Sequence, residues 1–118
     1  MKTQREFALG LIRIHVLLHA SREPIFGLAM IRELRHHGYK IGPGTLYPLL
    51  HGMESAGLLL SRETVEDGHA RRIYRITEPG QTVLADVRAK IDELHRELHE
   101  EPLHTIVENG AENGAEIE

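Results

Sequence analysis

Apolar residues recur with helical spacing from the start of the chain. In residues 5–20, REFALGLIRIHVLLHA, Phe7, Leu11, Ile14 and Leu18 fall on one face. Leu9, Ile12, Val16 and Leu17 widen the stripe beyond one face, so this helix needs two surfaces to pack against. SREP breaks the pattern at Pro24. Residues 27–37 predict a shorter helix with Leu28, Ile31 and Leu34 inward, stopped by Gly38. A short loop then leads to a third helix over residues 43–57, PGTLYPLLHGMESAG. Pro43 suits its first turn and Gly57 its end. Leu46, Leu49, Leu50 and Met53 line one face of it, and Thr45, Pro48, His51 and Gly52 the other. Pro48 is expected close enough to the first turn to be tolerated.

After Gly57 the period changes from helical to alternating. LLLSRETV and RRIYRIT predict two strands joined by EDGHA, in which Asp67-Gly68 is a strong turn signal. Residues 58–77 are therefore expected to form a β-hairpin with a charged tip. Thr77 can cap a final helix with Pro79 in its first turn. Leu84, Val87, Ile91, Leu94 and Leu98 follow as a seam two heptads long, ended by Pro102. The remainder is acidic and Gly-rich, with a repeated ENGA, and reads as a flexible tail.

This order describes a mainly α fold with a small β-hairpin. It predicts a winged helix-turn-helix over residues 1–78, a C-terminal dimerisation helix over 79–101 and an acidic tail over 102–118. In a winged helix the third helix enters the DNA major groove. The outer face of residues 43–57 suits that task, because Gly44, Thr45, Pro48 and Gly52 are short or flat and permit close approach to base edges. His51 shares that face. Lys40 and the free N–H groups at the helix start can meet phosphates, and Tyr47 offers a hydroxyl. Arg62, Arg71, Arg72 and Arg75 decorate the hairpin, with His69 at its tip. Alternation puts Arg71, Ile73 and Arg75 on one face and Arg72, Tyr74 and Ile76 on the other.

The formal net charge of −4 looks unsuited to a DNA partner. Its distribution removes most of the difficulty: residues 1–78 carry +3 and residues 79–118 carry −7. Nucleic acid responds to the sign on one face rather than to the whole-chain balance. The 118 residues contain no cysteine, which excludes disulfides, thiolate catalysis and thiolate zinc sites. No apolar run reaches the roughly 20 residues of a membrane span, and Arg5 and Glu6 run straight into an amphipathic pattern unlike a signal peptide. A cytoplasmic location is expected. No Gly-rich phosphate loop, catalytic zinc motif or nucleophile elbow is present, so an enzyme is not expected.

GPGTLYPLLHGMESAGLL followed by DGHARRIYRITEPGQTVL resembles the PadR family of transcriptional regulators. The resemblance spans roughly residues 7–100 and rests on separated blocks in order. These are Pro24 with Gly27, Gly44 through Pro48, Leu50, Glu54, Gly57 and Leu58, and then Arg72, Tyr74, Thr77 and Gly80. It implies a homodimeric repressor of the small subtype, with a single C-terminal helix that dimerises by packing on the partner's first helix. Leu11 and Ile14 would then face Leu84, Val87, Ile91, Leu94 and Leu98 across the dimer. It also implies an inverted-repeat operator and relief of repression by a small molecule at the dimer interface. Leu28 stands where the family usually has tyrosine, and His69 and Ala70 where Arg and Pro are common, so this wing tip is less basic. Binding of aromatic drugs between tryptophans does not carry over, because the chain has no tryptophan.

No cofactor is expected, but histidine chemistry offers an alternative. His95 and His99 lie four apart on the last helix, the spacing of metal ligands, with His104 nearby. Arg96, Glu97 and Glu100 around them favour an ordinary solvated flank. A metal- or pH-responsive regulator of the same fold is thus one alternative, and a winged-helix protein–protein adaptor another. His36 and His37 are expected to complement a helix C-terminus.

Overall fold

A computed structural model describes residues 1–100. The expected tail, Pro102 and His104 lie outside the described residues. The first helix, α1 (Lys2–Arg22), extends beyond both expected ends. Its second half turns Ile12, Val16, Leu17 and Ala20 into the core, while Phe7 near its start is 71% exposed. The break after Arg22 holds an element that the hydrophobic pattern did not reveal. Ile25–Phe26 forms β1, pairing antiparallel with Tyr74 and Ile73. Two residues are too few to show alternation, so only the tertiary partner identifies them as a strand.

Helix α2 (Gly27–His36) follows directly and buries Gly27, Met30, Ile31 and Leu34. Leu28, expected inward, is exposed, and Met30 takes its place in the core. Gly38 adopts φ 93°, a backbone that a side chain would strain, and lets Tyr39 N–H return to the Leu34 carbonyl at 3.0 Å. The Arg35 Nε donates to the Ile41 carbonyl at 3.0 Å, fixing the loop that delivers α3 (Pro43–Ser55). Leu46, Leu49, Leu50 and Met53 are buried along α3, as their spacing predicts. Pro48 lies in the interior of the helix rather than at its start. Having no N–H, it leaves the Gly44 carbonyl without its usual helical donor.

The hairpin comprises β2 (Leu59–Glu66) and β3 (His69–Ile76), with Leu59 opposite Ile76 and Glu66 opposite His69. Asp67 and Gly68 both have positive φ, at 51° and 76°. That pair of angles is the two-residue turn whose twist matches the strands. Strand order is β1-β3-β2, which places β3 at the centre of a three-stranded sheet. Val16, Leu34, Leu46, Leu50 and Leu59 are the large side chains most completely enclosed, so one core joins α1, α2, α3 and the sheet.

Helix α4 (Glu78–Leu98) begins with a cap: Thr77 Oγ1 accepts from Gly80 N–H at 3.0 Å. The same hydroxyl donates to the Gly57 carbonyl at 2.6 Å, which ties the start of α4 to the end of α3. Gly80 lies against the Leu58 carbonyl and the Ile76 side chain so closely that a Cβ has no room. Leu84 is buried in the protomer's own core, Val87 is half-buried, and Ile91, Leu94 and Leu98 are exposed.

Gly80→Ala should lower stability by about 1–3 kcal/mol, the usual range for forcing atoms into a packed site. The added methyl meets backbone that cannot turn aside. Urea denaturation followed by circular dichroism measures the change; a variant as stable as the parent would show that the start of α4 moves freely.

Candidate nucleic-acid interface

The outer surface of α3 is built from small residues by the same periodicity that buries its leucines. Gly44, Pro48, His51 and Gly52 are exposed, and a Cβ added at Gly44 or Gly52 would enter open space. Thr45 is half-buried, in a shallow hollow beside Arg5, Leu9 and Tyr39 of the neighbouring elements. It sits at the rim of the α3 face, not at its crest. Gly42 is the N-cap, and no side chain caps this helix start. The positive end of the helix therefore faces outward with little to neutralise it. Lys40 is exposed in the preceding loop.

Tyr47 projects from α3 towards the hairpin. Its ring and hydroxyl lie directly over Gly27, where a Cβ would collide with them. The absence of a side chain at Gly27 is what lets α2 and α3 meet with this tyrosine between them. Tyr47 then borders an open cleft of about 450 Å³ whose other walls include Phe26, Leu28, Arg71 and Arg72. The cleft thus brings together the Tyr47 side chain and two arginines, one wall from α3 and the other from the hairpin. His69 and Ala70 also line it.

The two arginines are held differently. The Arg71 guanidinium lies 5.8 Å from the Phe26 ring centroid, over its face. Arg72 donates from Nη1 to Ser61 Oγ at 3.1 Å and approaches the Glu63 carboxylate at 3.7 Å across the β2–β3 ladder. Arg72 is therefore already partly engaged by Ser61 and Glu63, whereas Arg71 rests over Phe26 in the cleft wall.

Glu54 has a role that the helical pattern of α3 did not reveal. Its carboxylate accepts from Ser61 N–H at 3.0 Å and from Ser61 Oγ at 2.8 Å. The one acidic group of α3 is thus turned onto β2 and away from the outer face. These two Ser61 hydrogen bonds, the side-chain one first, hold the Glu54 carboxyl below its ordinary range, helped by Arg72 and His51. Burial raises the neighbouring Tyr74 phenol, and the Glu54 charge adds to it. A hydroxyl residue seven positions after the glutamate was the available signal, but it identifies a latch only once the helix-to-strand turn is known.

The expected dimer positions form two exposed ends. On α1, Leu11 is exposed and Ile14 half-buried; on α4, Ile91, Leu94 and Leu98 are exposed. Leu84 is committed to the internal core. The His95 and His99 rings lie with centroids 4.3 Å apart and planes tilted by 36°, and His99 Nδ1 donates to the His95 carbonyl at 2.8 Å. Among the described residues the group of three candidate metal ligands lies elsewhere, at His15, His19 and His37.

A helix-turn-helix followed by a hairpin wing and a projecting helix defines a winged-helix regulator. The transcriptional regulator PadR-like family matches residues 16–86, and this chain belongs to that family. It is accordingly a transcriptional regulator and not an enzyme. It is similar to the transcriptional regulator Rv3488 of Mycobacterium tuberculosis, with 45% identity over 101 residues, 86% of this chain and 94% of the relative. A PadR family transcriptional regulator from Eggerthella lenta superposes with TM-score 0.69 at 34% identity, over 85% of this chain and 92% of that one. A PadR-like transcription factor from Bacteroides fragilis shares the fold with TM-score 0.72 at 24% identity, over 83% and 96% of the two chains. Among the described residues no helix is long and apolar enough to cross a membrane.

The Glu54 latch has a pH signature. Because the folded carboxyl titrates below its ordinary value of 4.5, its stabilisation is fully present above that value. It is lost as pH falls through the lower, folded value. Glu54→Gln should therefore be less stable than the parent at neutral pH, with the difference shrinking on acidification below 4.5. Denaturant titrations of both proteins across that interval measure it; a pH-independent difference would contradict the charged latch.

Proposed function

We infer that the chain regulates transcription by binding duplex DNA as a homodimer, with α3 in the major groove and the hairpin on the adjacent backbone. The observation that carries this reading is the outer face of α3. It is small, free of carboxylates and continuous with a cleft that holds Tyr47, Arg71 and Arg72. Gly44, Pro48, His51 and Gly52 would approach base edges, with Thr45 at the rim. Lys40, the α3 start, Tyr47 and Arg71 would take phosphates, and Arg72 would first give up part of its contact with Ser61 and Glu63. The location that follows is the compartment of the chromosome, a bacterial-type cytoplasm.

Dimerisation is supported by the apolar residues that α1 and α4 leave exposed: Phe7 and Leu11, and Ile91, Leu94 and Leu98. A dimer with two-fold symmetry reads an inverted repeat, its half-sites separated by about one turn of DNA, roughly 34 Å. Family membership supports extending the reading to repression, relieved by a small molecule at the dimer interface. An adaptor without DNA would need an apolar or acidic outer face on α3, and this face is neither.

Binding to DNA from the chain's own promoter region should weaken steeply with salt, as counterion release requires. Fluorescence anisotropy from low to moderate salt is the test, and salt-insensitive or absent binding would refute the reading. Gly52→Ala should separate fold from function. In the helix interior it should stabilise the protein by about 0.5–1 kcal/mol, yet the methyl on the outer face should weaken operator binding. Unchanged operator affinity would place the contact surface elsewhere. Ile91→Asp should shift the dimer to monomer, since a charge would enter an apolar seam twice. Light scattering after size exclusion reads the mass, and a variant still fully dimeric would move the interface away from α4.

A further inference from the structure

We propose that His15, His19 and His37 form a binding site for a divalent late-transition-metal ion, with zinc as its reference member, that staples α1 to the end of α2. His15 and His19 are one helical turn apart on α1, so their rings share a face. The ring of His37, the residue that closes α2, is brought beside them by the core that α1 and α2 share. One ligand nitrogen from each residue lies within 4.8 Å of the other two. Around zinc, nitrogens at about 2.0–2.1 Å in a tetrahedron stand about 3.4 Å apart. Modest side-chain rotations therefore close the set without moving either helix.

The surroundings suit a cation more than three independent imidazoles. The His15 and His37 rings stack with centroids 4.8 Å apart and planes 27° from parallel, and the Tyr39 ring meets His15 edge-on at 5.5 Å. Glu33 turns one carboxylate oxygen to 3.2 Å from His37 Nε2 and 3.9 Å from His19 Nε2. That oxygen can complete a four-coordinate shell or orient a ligating ring. Burial, then the nearby His37 and His19, lower the His15 pKa against an opposing effect of Glu33. Three imidazoles with a carboxylate and no thiolate select zinc, nickel, cobalt or copper over magnesium and calcium.

The position gives the ion a lever. α1 carries exposed apolar residues towards its start, and α2 is the first helix of the helix-turn-helix. An ion joining the two would fix the helix-turn-helix against α1. The binding claim itself does not depend on the proposed DNA function.

The test uses the untagged, metal-free full chain, titrated with zinc by calorimetry and with cobalt by visible absorption. One equivalent per chain should bind, the melting temperature should rise, and cobalt should show the d–d bands of a four-coordinate nitrogen-rich site. His37→Ala, at an exposed position, should weaken zinc binding by more than about tenfold while leaving the far-ultraviolet circular dichroism of the metal-free protein unchanged. His15→Gln should do the same to binding. The double variant His95→Ala/His99→Ala should bind as the parent does. Failure of the parent to bind either ion overturns the proposal. So does undiminished binding by His37→Ala, or a tenfold loss in the His95/His99 variant.

Discussion

A single corner of backbone sets the geometry of the whole molecule. At it the end of α3, the start of β2, the end of β3 and the start of α4 meet within a few residues. Thr77 N–H bonds the Leu58 carbonyl at 3.1 Å, its hydroxyl bonds the Gly57 carbonyl, and the same oxygen accepts from Gly80. Gly57, at φ 82°, closes α3 by donating to the Glu54 carbonyl at 2.9 Å. The helix proposed to read DNA and the helix proposed to pair with a second copy are therefore coupled through a few hydrogen bonds and one close backbone contact. Displacing α4 at this corner would strain the end of α3.

The wing is tied to the same helix farther along. Glu54 grips Ser61 on β2, and Arg72 on β3 reaches Ser61 in turn. At the other end Tyr47 lies over Gly27. These attachments fix both ends of α3 from inside, which leaves its outer face free of structural duties. A face made of glycine, proline, threonine and histidine is then available for contact without cost to the core.

Much of this was legible in the chain because the informative residues act locally. The 3.6-residue period identified which side of α3 is buried, Asp67-Gly68 identified the turn, and Thr77 identified the cap. Those signals depend on neighbours a few positions away. What escaped depends on partners distant in sequence. β1 is a strand only because Tyr74 and Ile73 pair with it. Leu28 faces outward because Met30 fills the core. Leu84 continues the apolar seam in sequence but is buried within its own protomer. The histidines show the same division: His95 and His99 were visible as a pair on one helix, whereas His15, His19 and His37 converge only when two helices pack.

The central claim is that the outer face of α3, flanked by the Tyr47–Arg71 cleft, is where DNA binds. Amide chemical shifts of the nitrogen-15-labelled protein, followed during titration with a duplex from its own promoter region, test that placement most directly. The account predicts the largest perturbations at Gly44, Thr45, His51 and Gly52, with a second group at His69 through Arg72 and little change around Lys90. Perturbations centred on α4, with α3 silent, would contradict it.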